Sequence, residues 1–259
     1  MITHKNTSLF FIIILLLLLL SKLYIAINIW WFIIIGIIWL SIAAINSARI
    51  NSNYHVRAYC NNSSVTKKKI ALTFDDGPSE TTLEILDVLK KYDVKATFFC
   101  IGKNIEKHPE IIERILSEGH LVGNHSYSHS DFFDFYNAKK ILEELRKTDA
   151  LLEKFTSKKI QFFRPPYGVT TPSIRRALKI SKHKVIGWNI RSLDGGIKDQ
   201  EIIYNRIIKR VSPGGIVLLH DTAKHSVLVL EQFLQFLQQN NYTVISVEKL
   251  LNLKAYEED

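Results

Sequence analysis

Two histidines stand four residues apart in His125-Ser-Tyr-Ser-His129, and this spacing is the most specific chemical signal in the chain. If the segment is helical, both imidazoles lie on one helix face and can chelate one metal ion. Taken alone, the pair is better explained as two surface histidines. Two histidines and one carboxylate would form a metal site with open positions for water and substrate.

Two adjacent carboxylates, Asp75 and Asp76, are followed directly by Gly-Pro. An isolated Asp-Gly-Pro is more typical of a turn than of a site. Arg164 and His220 have similarly plain explanations, as a rigid strand exit and a polar strand end. Considered together, these residues complete the metal set and add a second carboxylate, a cation to hold it and a further histidine. Such a combination at one place favours a catalytic site.

The elements that must position these residues follow from the pattern after Lys69. Candidate strands are Ile70–Phe74, Ala96–Cys100, Leu121–Gly123, Gln161–Phe163, Val185–Trp188, Ile216–Leu219 and Thr243–Val247. Helical patterns lie between them: one from Thr81 with a capping box to Glu84, Pro109–Glu118, Asn137–Phe155, one opened by Thr171-Pro172, Asp199–Val211 and Ser226–Asn240. This alternation predicts an α/β fold, a (β/α) barrel of about seven parallel strands that is incomplete or distorted.

The polar residues of interest fall just after predicted strands. They are Asp75, Asp76, His125, His129, Arg164, Asp194 and His220. In (β/α) barrels the active site lies at the carboxyl ends of the strands. We therefore expect these side chains to meet at one end of the barrel.

Five ordered motifs resemble those of the polysaccharide deacetylases, which form carbohydrate esterase family 4 and share the NodB homology domain. The motifs are Thr73-Phe-Asp75-Asp76-Gly-Pro, His125-Ser-Tyr-Ser-His129, Arg164-Pro-Pro-Tyr167, the Trp188…Asp194 segment and Leu218-Leu-His220. The resemblance covers roughly residues 66–250, in the expected order and spacing.

The resemblance implies a role for each motif residue. Asp75 would be the general base acting on a metal-bound water, and Asp76, His125 and His129 would be the metal ligands. Arg164 would orient Asp75 and pair with it. This donor set suits one divalent ion, zinc first, with cobalt, nickel, iron or manganese also compatible.

On the other side of the scissile bond, the resemblance implies that His220 is the general acid that protonates the leaving amine. Asp194 would hold His220 charged and correctly turned. The backbone N–H of Tyr167 would be an oxyanion donor, Leu218 would receive the acetyl methyl, and Trp188 would help bind substrate. Amide hydrolysis needs both an activated nucleophile and a proton for the leaving group, so the roles are chemically consistent.

The function implied is metal-dependent removal of N-acetyl groups from N-acetylhexosamine residues of a glycan, either peptidoglycan or a chitin-like polymer. Two alternatives stay open: an esterase that removes O-acetyl groups from xylan or a similar polymer, and a catalytically silent glycan-binding membrane protein. Two positions depart from the family pattern, since Gly195 replaces a frequent aromatic and Arg191 a frequent Asp. Both affect the shape and charge of the sugar groove.

The N-terminal segment from Leu9 to Ile45 is 37 residues long and almost continuously apolar. A spanning helix needs about 20 residues, so a break near Asn28 would give a hairpin over roughly residues 9–27 and 29–45. Trp30 and Trp31 would then lie at an interface. The alternatives are a single tilted signal-anchor and a cleaved signal peptide. The expected domains are a transmembrane segment over 1–45, a linker over 46–65 and a catalytic domain over 66–259.

Charge gives a conflicting indication of orientation. Lys5, Arg49 and Arg57 outweigh Lys22, so the positive-inside rule would place both hairpin ends in the cytoplasm. The glycan chemistry instead predicts a catalytic domain that faces the cell envelope, and we let the chemistry decide. The net charge of +9 includes no dense basic stripe, so nucleic acid is not an expected partner.

The two cysteines, Cys60 and Cys100, are expected to be unpaired thiols. Cys60 falls in the expected linker and Cys100 ends a predicted buried strand. A disulfide between them would require the linker to pack against that strand.

Overall fold

The computed structural model describes residues 3–257, and its centre is a curled sheet of parallel strands. The strands are β1 Ala58–Tyr59, β2 Lys69–Asp75, β3 Thr97–Cys100, β4 Leu121–Asn124, β5 Phe162–Phe163, β6 Lys184–Ile186, β7 Ile190–Arg191, β8 Ile216–His220 and β9 Thr243–Val244. Eight are paired in the order β1-β6-β5-β4-β3-β2-β8-β7, and β9 pairs with β2. Within the described residues, β1 and β7 do not pair with each other. The predicted incomplete (β/α) barrel is confirmed.

Helices surround the barrel and also form the N-terminal segment. They are α1 His4–Ser21, α2 Trp30–Ser47, α3 Glu80–Lys91, α4 Gly102–Lys107, α5 Pro109–Ser117, α6 Ala138–Thr156, α7 Pro172–Ser181, α8 Gln200–Ile208, α9 His225–Gln239 and α10 Val247–Leu251. Side-chain caps fix several starts: Asn137, Thr171 and Asp199 each accept a hydrogen bond from a backbone N–H of the first helical turn.

Helix α3 begins earlier than expected. Its N-cap is Ser79, whose backbone N–H donates to Thr82 Oγ1 at 2.8 Å. The predicted capping box from Thr81 to Glu84 is therefore wrong. Thr81 and Thr82 are both buried.

Strand β2 ends at the same end of the sheet as the predicted site residues. Its residues Ile70 to Phe74 are fully buried, as expected of a parallel strand with helices on both faces. In the β2–β8 register Asp75 lies opposite His220, and in the β4–β5 register Asn124 lies opposite Phe163. The residues after these strands therefore emerge at the same end of the sheet.

The segment expected to be a linker contributes to the barrel. Ala58 and Tyr59 form β1 and pair with Val185 and Ile186 of β6. Cys60 is buried behind them, and burial raises its pKa to about 11. Both cysteines are free thiols, as expected.

Two further strand expectations need correction. Strand β7 at Ile190–Arg191 was not predicted. The last predicted strand is shorter than expected, because it ends at Val244 and Val247 begins α10. The Ser246 side chain caps that helix by accepting from Lys249 N.

Helices α1 and α2 are each 18 residues long and expose almost all their apolar side chains. Their mean hydropathies are 1.8 and 1.9, high enough for a membrane span, although a signal sequence would satisfy the same criterion. The break between them covers residues 22–29, and Asn28 Oδ1 accepts from Trp30 N at 3.0 Å. Helix α1 starts at His4 and α2 ends at Ser47, so both are displaced from the expected bounds.

Candidate active site

The predicted site residues converge at the carboxyl ends of β2, β4, β5 and β8. A cavity of about 450 Å³ opens there. The predicted residues that line it are Asp75, Asp76, His125, His129, Tyr167, Trp188, Leu218 and His220. Arg164 and Asp194 lie behind the wall and reach the cavity through Asp75 and His220.

Asp76, His125 and His129 form a cluster with ligand atoms within 4.8 Å of one another. Asp76 Oδ1 lies 3.4 Å from the Nε2 atom of each histidine. Two ligand atoms bound at 2.0–2.1 Å to one tetrahedral ion are about 3.3 Å apart. The three residues therefore fit one divalent ion with a position left for water or substrate.

The two histidines do not share a helix face, so the helical condition attached to their spacing is not met, although both lie in the cluster. Residues 125–129 form a loop after β4, and Ser126 and His129 have φ angles of 64° and 46°. Asp76 also has a positive φ, 79°. These left-handed residues turn the loops so that the three side chains point at one another.

Residues outside the motifs hold the histidine loop. Glu144 of α6 is buried and accepts hydrogen bonds from Tyr127 N at 3.1 Å and Ser128 N at 2.7 Å. The Arg164 carbonyl lies 2.7 Å from His125 Nδ1, which leaves Nε2 free for a metal ion. Sequence reasoning missed Glu144, although a glutamate on the apolar face of α6 was a signal.

Two of the three clustered groups have the charge state that a metal ion requires. Burial opposes the charge on Asp76, but hydrogen bonding and charge interactions with His125, His220 and His129 lower its pKa below the usual range. Burial, followed by the neighbouring His125, lowers the pKa of His129 to about 4. His129 is therefore neutral near pH 7, the form that a metal ion requires.

Asp75 is held by a buried guanidinium. Arg164 is 0% exposed, and its Nη1 donates to Asp75 Oδ1 at 2.6 Å and to Thr73 Oγ1 at 2.8 Å. The other carboxylate oxygen, Oδ2, lies 3.8 Å from His125 Nε2. One oxygen of Asp75 is thus bound to Arg164 and the other faces the candidate metal position.

His220 borders the same cavity beside the candidate metal position. Its Nδ1 lies 2.7 Å from Asp194 Oδ1, and its Nε2 lies 4.0 Å from Asp76 Oδ2. Burial disfavours the imidazolium, but the Asp194 hydrogen bond and the charges of Asp194, Asp75 and Asp76 outweigh it and raise the pKa to about 9. The proton on Nε2 is therefore retained at neutral pH.

Asp194 is fixed by residues that the sequence analysis did not assign. Ser192 Oγ and Ser226 Oγ each donate to its carboxylate at 2.6 Å. His225 Nε2 lies 2.7 Å from the Asp194 carbonyl. Ser226 and His225 start α9, and their place at the beginning of a predicted helix after the last motif was the available signal.

Asp221 follows His220 and lies beneath the Asp-Asp-Gly-Pro loop. Its Oδ2 accepts from Thr82 Oγ1 at 2.7 Å, and burial raises its pKa to about 7. A Cβ atom on Gly77 would overlap the Asp221 carboxylate. This close approach explains the glycine after the paired carboxylates.

The remaining predicted residues shape the groove. Tyr167 has a φ of 59°, and its hydroxyl donates to Asp131 Oδ1 at 2.6 Å. Leu218 is 2% exposed and lines the cavity together with Asp75 and His220.

Both departures from the family pattern line the cavity. A Cβ on Gly195 would lie 3.4 Å from His220 Cε1, an ordinary van der Waals contact, so a side chain at this position would adjoin the His220 ring. The Arg191 guanidinium lies 5.8 Å from the Trp188 ring centroid. The groove therefore combines an open place beside His220 with an additional cation.

Comparison with known proteins identifies the class. The polysaccharide deacetylase family profile matches residues 62–186. PdaA of Bacillus subtilis, a peptidoglycan-N-acetylmuramic acid deacetylase, is 33% identical over 190 residues, covering 71% of this chain and 72% of that protein. A peptidoglycan-N-acetylglucosamine deacetylase of Bacillus cereus is 36% identical over 166 residues, covering 64% and 60%. The solved structure of the Bc1960 peptidoglycan N-acetylglucosamine deacetylase has a TM-score of 0.71 at 30% identity, covering 77% of this chain and 94% of that one.

The chain belongs to the polysaccharide deacetylase family, carbohydrate esterase family 4. This is a family of hydrolases that act on linear amides and are in general metal-dependent. The resemblance inferred from the five motifs is confirmed.

Proposed function

We propose that the protein removes N-acetyl groups from N-acetylhexosamine residues of a cell-wall glycan, peptidoglycan first and a chitin-like polymer second. The observation that carries this proposal is that Asp75 and His220 both border the three-residue cluster that fits a metal ion. A base and a charged acid beside one metal position are what amide hydrolysis requires. The relatives named as peptidoglycan deacetylases support the choice of polymer.

Asp76, His125 and His129 would hold one divalent ion, with zinc the first choice. Such an ion supplies Lewis acidity that polarises the acetyl carbonyl and acidifies water. Asp75 accepts the proton of the attacking water, and Arg164 keeps its carboxylate aligned. These are the steps on the side of the nucleophile.

On the side of the leaving group, His220 donates its Nε2 proton to the amine nitrogen as the carbon–nitrogen bond breaks. Asp194 stabilises the imidazolium and fixes its ring. The backbone N–H of Tyr167 donates to the carbonyl oxygen as negative charge develops, and Leu218 packs against the acetyl methyl. Trp188 contributes an aromatic wall for the sugar.

The test is a substrate panel with matched products. The full chain, solubilised in detergent and supplied with zinc, is incubated with peptidoglycan, N-acetylglucosamine oligomers and acetylated xylan. We expect acetate and free amine in equal amounts from the first two substrates. Acetate from xylan without amine release from either amide substrate would instead establish the O-acetyl esterase, and no acetate from any of the three substrates would contradict both hydrolase functions.

The metal assignment makes a separate prediction. Purified protein should bind about one divalent ion per chain, and His125→Ala or His129→Ala should lose most of it, because the directly bound ligands dominate affinity. His108→Ala, outside the cluster, is the control and should retain the ion. Elemental analysis after dialysis measures the occupancy, and full occupancy in a His125→Ala/His129→Ala double variant would disprove the assignment.

The raised pKa of His220 predicts the pH profile. Because the acid must be protonated, activity falls as pH rises through the pKa of His220, and the alkaline limb lies above its ordinary value of 6.5 and at or below about 9. A divalent ion near the imidazolium moves the limb toward the lower end of this interval. In Asp194→Asn the limb should shift to lower pH. If the alkaline limb stays at the same pH in Asp194→Asn, the limb does not report the deprotonation of His220.

We propose further that α1 and α2 anchor the chain in the membrane as a two-span hairpin, with the catalytic domain facing the cell envelope. Each helix is about 27 Å long, close to the roughly 30 Å of a hydrocarbon core. Their exposed apolar side chains support this anchor. The full chain should stay in the membrane pellet at high pH, and its N-terminus should be accessible to protease from the same side as the catalytic domain. Release into the supernatant, an N-terminus that is protected while the catalytic domain is accessible, or an N-terminus cleaved after residue 21 would contradict the hairpin.

A further inference from the structure

A second cavity lies where the bases of α1 and α2 meet the catalytic domain. Its volume is about 1120 Å³, and it shares no lining residue with the catalytic cavity. Its walls come from the start of α1, the segment 51–61 and helix α7 with the following strand. We call it the hairpin-base cleft.

The cleft is lined by cations without counter-charges. Lys5, Arg57, Arg175 and Lys179 line it, and all four are exposed. Among residues 3–257, no Asp or Glu lines the cleft and none of the four cations has an ion-pair partner. The Arg57 guanidinium lies over the Tyr59 ring at 4.8 Å, which keeps it at the wall. Four such cations around one concave surface produce a strong local attraction for an anion.

Two buried histidines in the wall each carry a ring nitrogen without a partner among the described residues. His55 and His183 are 5% and 8% exposed, and the Nδ1 atom of each has no hydrogen-bond partner. Their Nε2 atoms are already used, by Ser47 Oγ at 2.8 Å and by Asp149 Oδ1 at 3.1 Å. A buried polar atom left unpaired is costly, and the hydrogen bonding of this wall is therefore incomplete.

The position of the cleft along the axes of α1 and α2 indicates the source of the anion. His4 N donates to Tyr54 O at 2.9 Å, and Thr7 Oγ1 lies 2.6 Å from Tyr54 OH. At the end of α2, the Ser47 carbonyl accepts from Thr170 N at 2.9 Å. Both helix bases are therefore tied to the domain at the level of the cleft, while their apolar surfaces begin immediately beyond it. This polar–apolar boundary is where lipid phosphates lie.

We propose that the hairpin-base cleft binds the phosphate of an anionic phospholipid headgroup. The proposal rests on the membrane anchor proposed above. The α1 N-terminus, which also borders the cleft at Thr3, adds the positive end of an 18-residue helix. The positive charge at the hairpin ends, which conflicts with an envelope-facing domain under the positive-inside rule, then has a second role: it holds headgroups on the side of the catalytic domain.

The test compares lipids on the full chain. The protein in a neutral detergent is titrated with short-chain phosphatidylglycerol or phosphatidylcholine, and bound lipid is counted by native mass spectrometry. We expect phosphatidylglycerol to bind at least about tenfold more tightly. The Arg57→Ala/Arg175→Ala/Lys179→Ala variant should bind it about 100-fold more weakly, as expected for the loss of three cations at a membrane surface.

The matched control removes the same charge elsewhere. Lys139→Ala/Lys154→Ala/Lys209→Ala alters three exposed lysines outside the cleft and should change the affinity by less than about threefold. If both triple variants bound phosphatidylglycerol equally weakly, the effect would come from net charge alone, and the proposal would be overturned. Competition by inorganic phosphate at the same concentration as the lipid would also overturn it, because the site would then hold a free anion.

A charge-conserving variant guards against misfolding. Arg57→Lys/Arg175→Lys/Lys179→Arg should retain phosphatidylglycerol binding within about tenfold, and a loss as large as in the alanine variant would contradict a charge-based site. Membrane extraction is read separately. If the chain leaves the membrane but still prefers phosphatidylglycerol in detergent, the anchor is disproved and the lipid site in the cleft stands. If the chain stays in the membrane but lacks that preference, the lipid site is disproved and the anchor stands.

Discussion

Replacing Asp75 by Asn is expected to remove almost all turnover while the metal stays bound. The amide is nearly the same size as the carboxylate, so packing around Arg164 is kept, but it cannot accept the proton of the attacking water. A lost general base typically costs about 10²–10⁴ in rate. Asp75 is not part of the three-residue metal cluster, so occupancy should remain close to one ion per chain.

The neighbouring substitution separates the two roles of this carboxylate pair. Asp76→Asn should weaken metal binding, because Asp76 Oδ1 lies 3.4 Å from both candidate histidine ligands. Its activity should recover in part when zinc is added in excess, whereas that of Asp75→Asn should not. Asp87→Asn, an exposed carboxylate paired with Arg114, is the matched control and should keep both metal and activity. If both site variants retained metal and turnover, the assignment of this pair would fail.

Asp75→Asn should also lower the stability of the fold, so stability must be measured together with activity. Arg164 is fully buried, and Asp75 is its carboxylate partner. Leaving a buried guanidinium without its counter-charge is strongly destabilising. Remaining hydrogen bonds from Arg164 to the Ile186 and Gly187 carbonyls limit the damage, so a folded but less stable variant is expected. A thermal melt alongside the rate measurement distinguishes the two effects.

Much of the fold was predictable from the chain because parallel strands are buried on both faces. Runs such as Ile70–Phe74 are continuous and apolar, and the amphipathic helices between them leave few other arrangements. Site residues directly after such strands must then meet at one end of the sheet. The convergence of Asp75, His125 and His220 in one cavity follows from this rule.

Short elements that depend on distant partners were not predictable. Strands β1 and β7 have two residues each, and neither has an apolar run of its own. β1 exists because Ala58 and Tyr59 add to the edge of β6. A pairing of this kind is set by the position of the edge strand, which no local pattern encodes.

The metal cluster illustrates what motif spacing leaves undetermined. Four-residue spacing between histidines suggested a helix, whereas left-handed residues at Ser126 and His129 build a loop. Non-glycine residues seldom adopt this conformation, and only surrounding contacts make it favourable. Buried Glu144 supplies them by accepting from the backbone of Tyr127 and Ser128.

Replacing His220 by Ala should slow N-deacetylation by about 10²–10⁴, the usual effect of a lost general acid. The amine is a poor leaving group and must be protonated for its bond to carbon to break. An activated acetyl ester with an acidic phenol leaves with little protonation, so the same variant should hydrolyse it at a rate much closer to that of the unmodified protein. The ratio of amide to ester turnover therefore isolates the acid function. Asp194→Asn should reproduce the defect in milder form, because the imidazole loses its 2.7 Å partner.

A neighbouring histidine provides the control for this experiment. The His225 ring contacts the backbone carbonyl of Asp194 and does not line the cavity that holds His220. His225→Ala should therefore change both rates by a similar small factor. If His220 were only a polar strand end with one backbone contact, its removal would lower stability and affect both substrates equally. An unchanged amide-to-ester ratio in His220→Ala would therefore remove His220 from the mechanism. A ratio that falls by tenfold or more, with metal content unchanged, identifies it as the group that protonates the leaving amine.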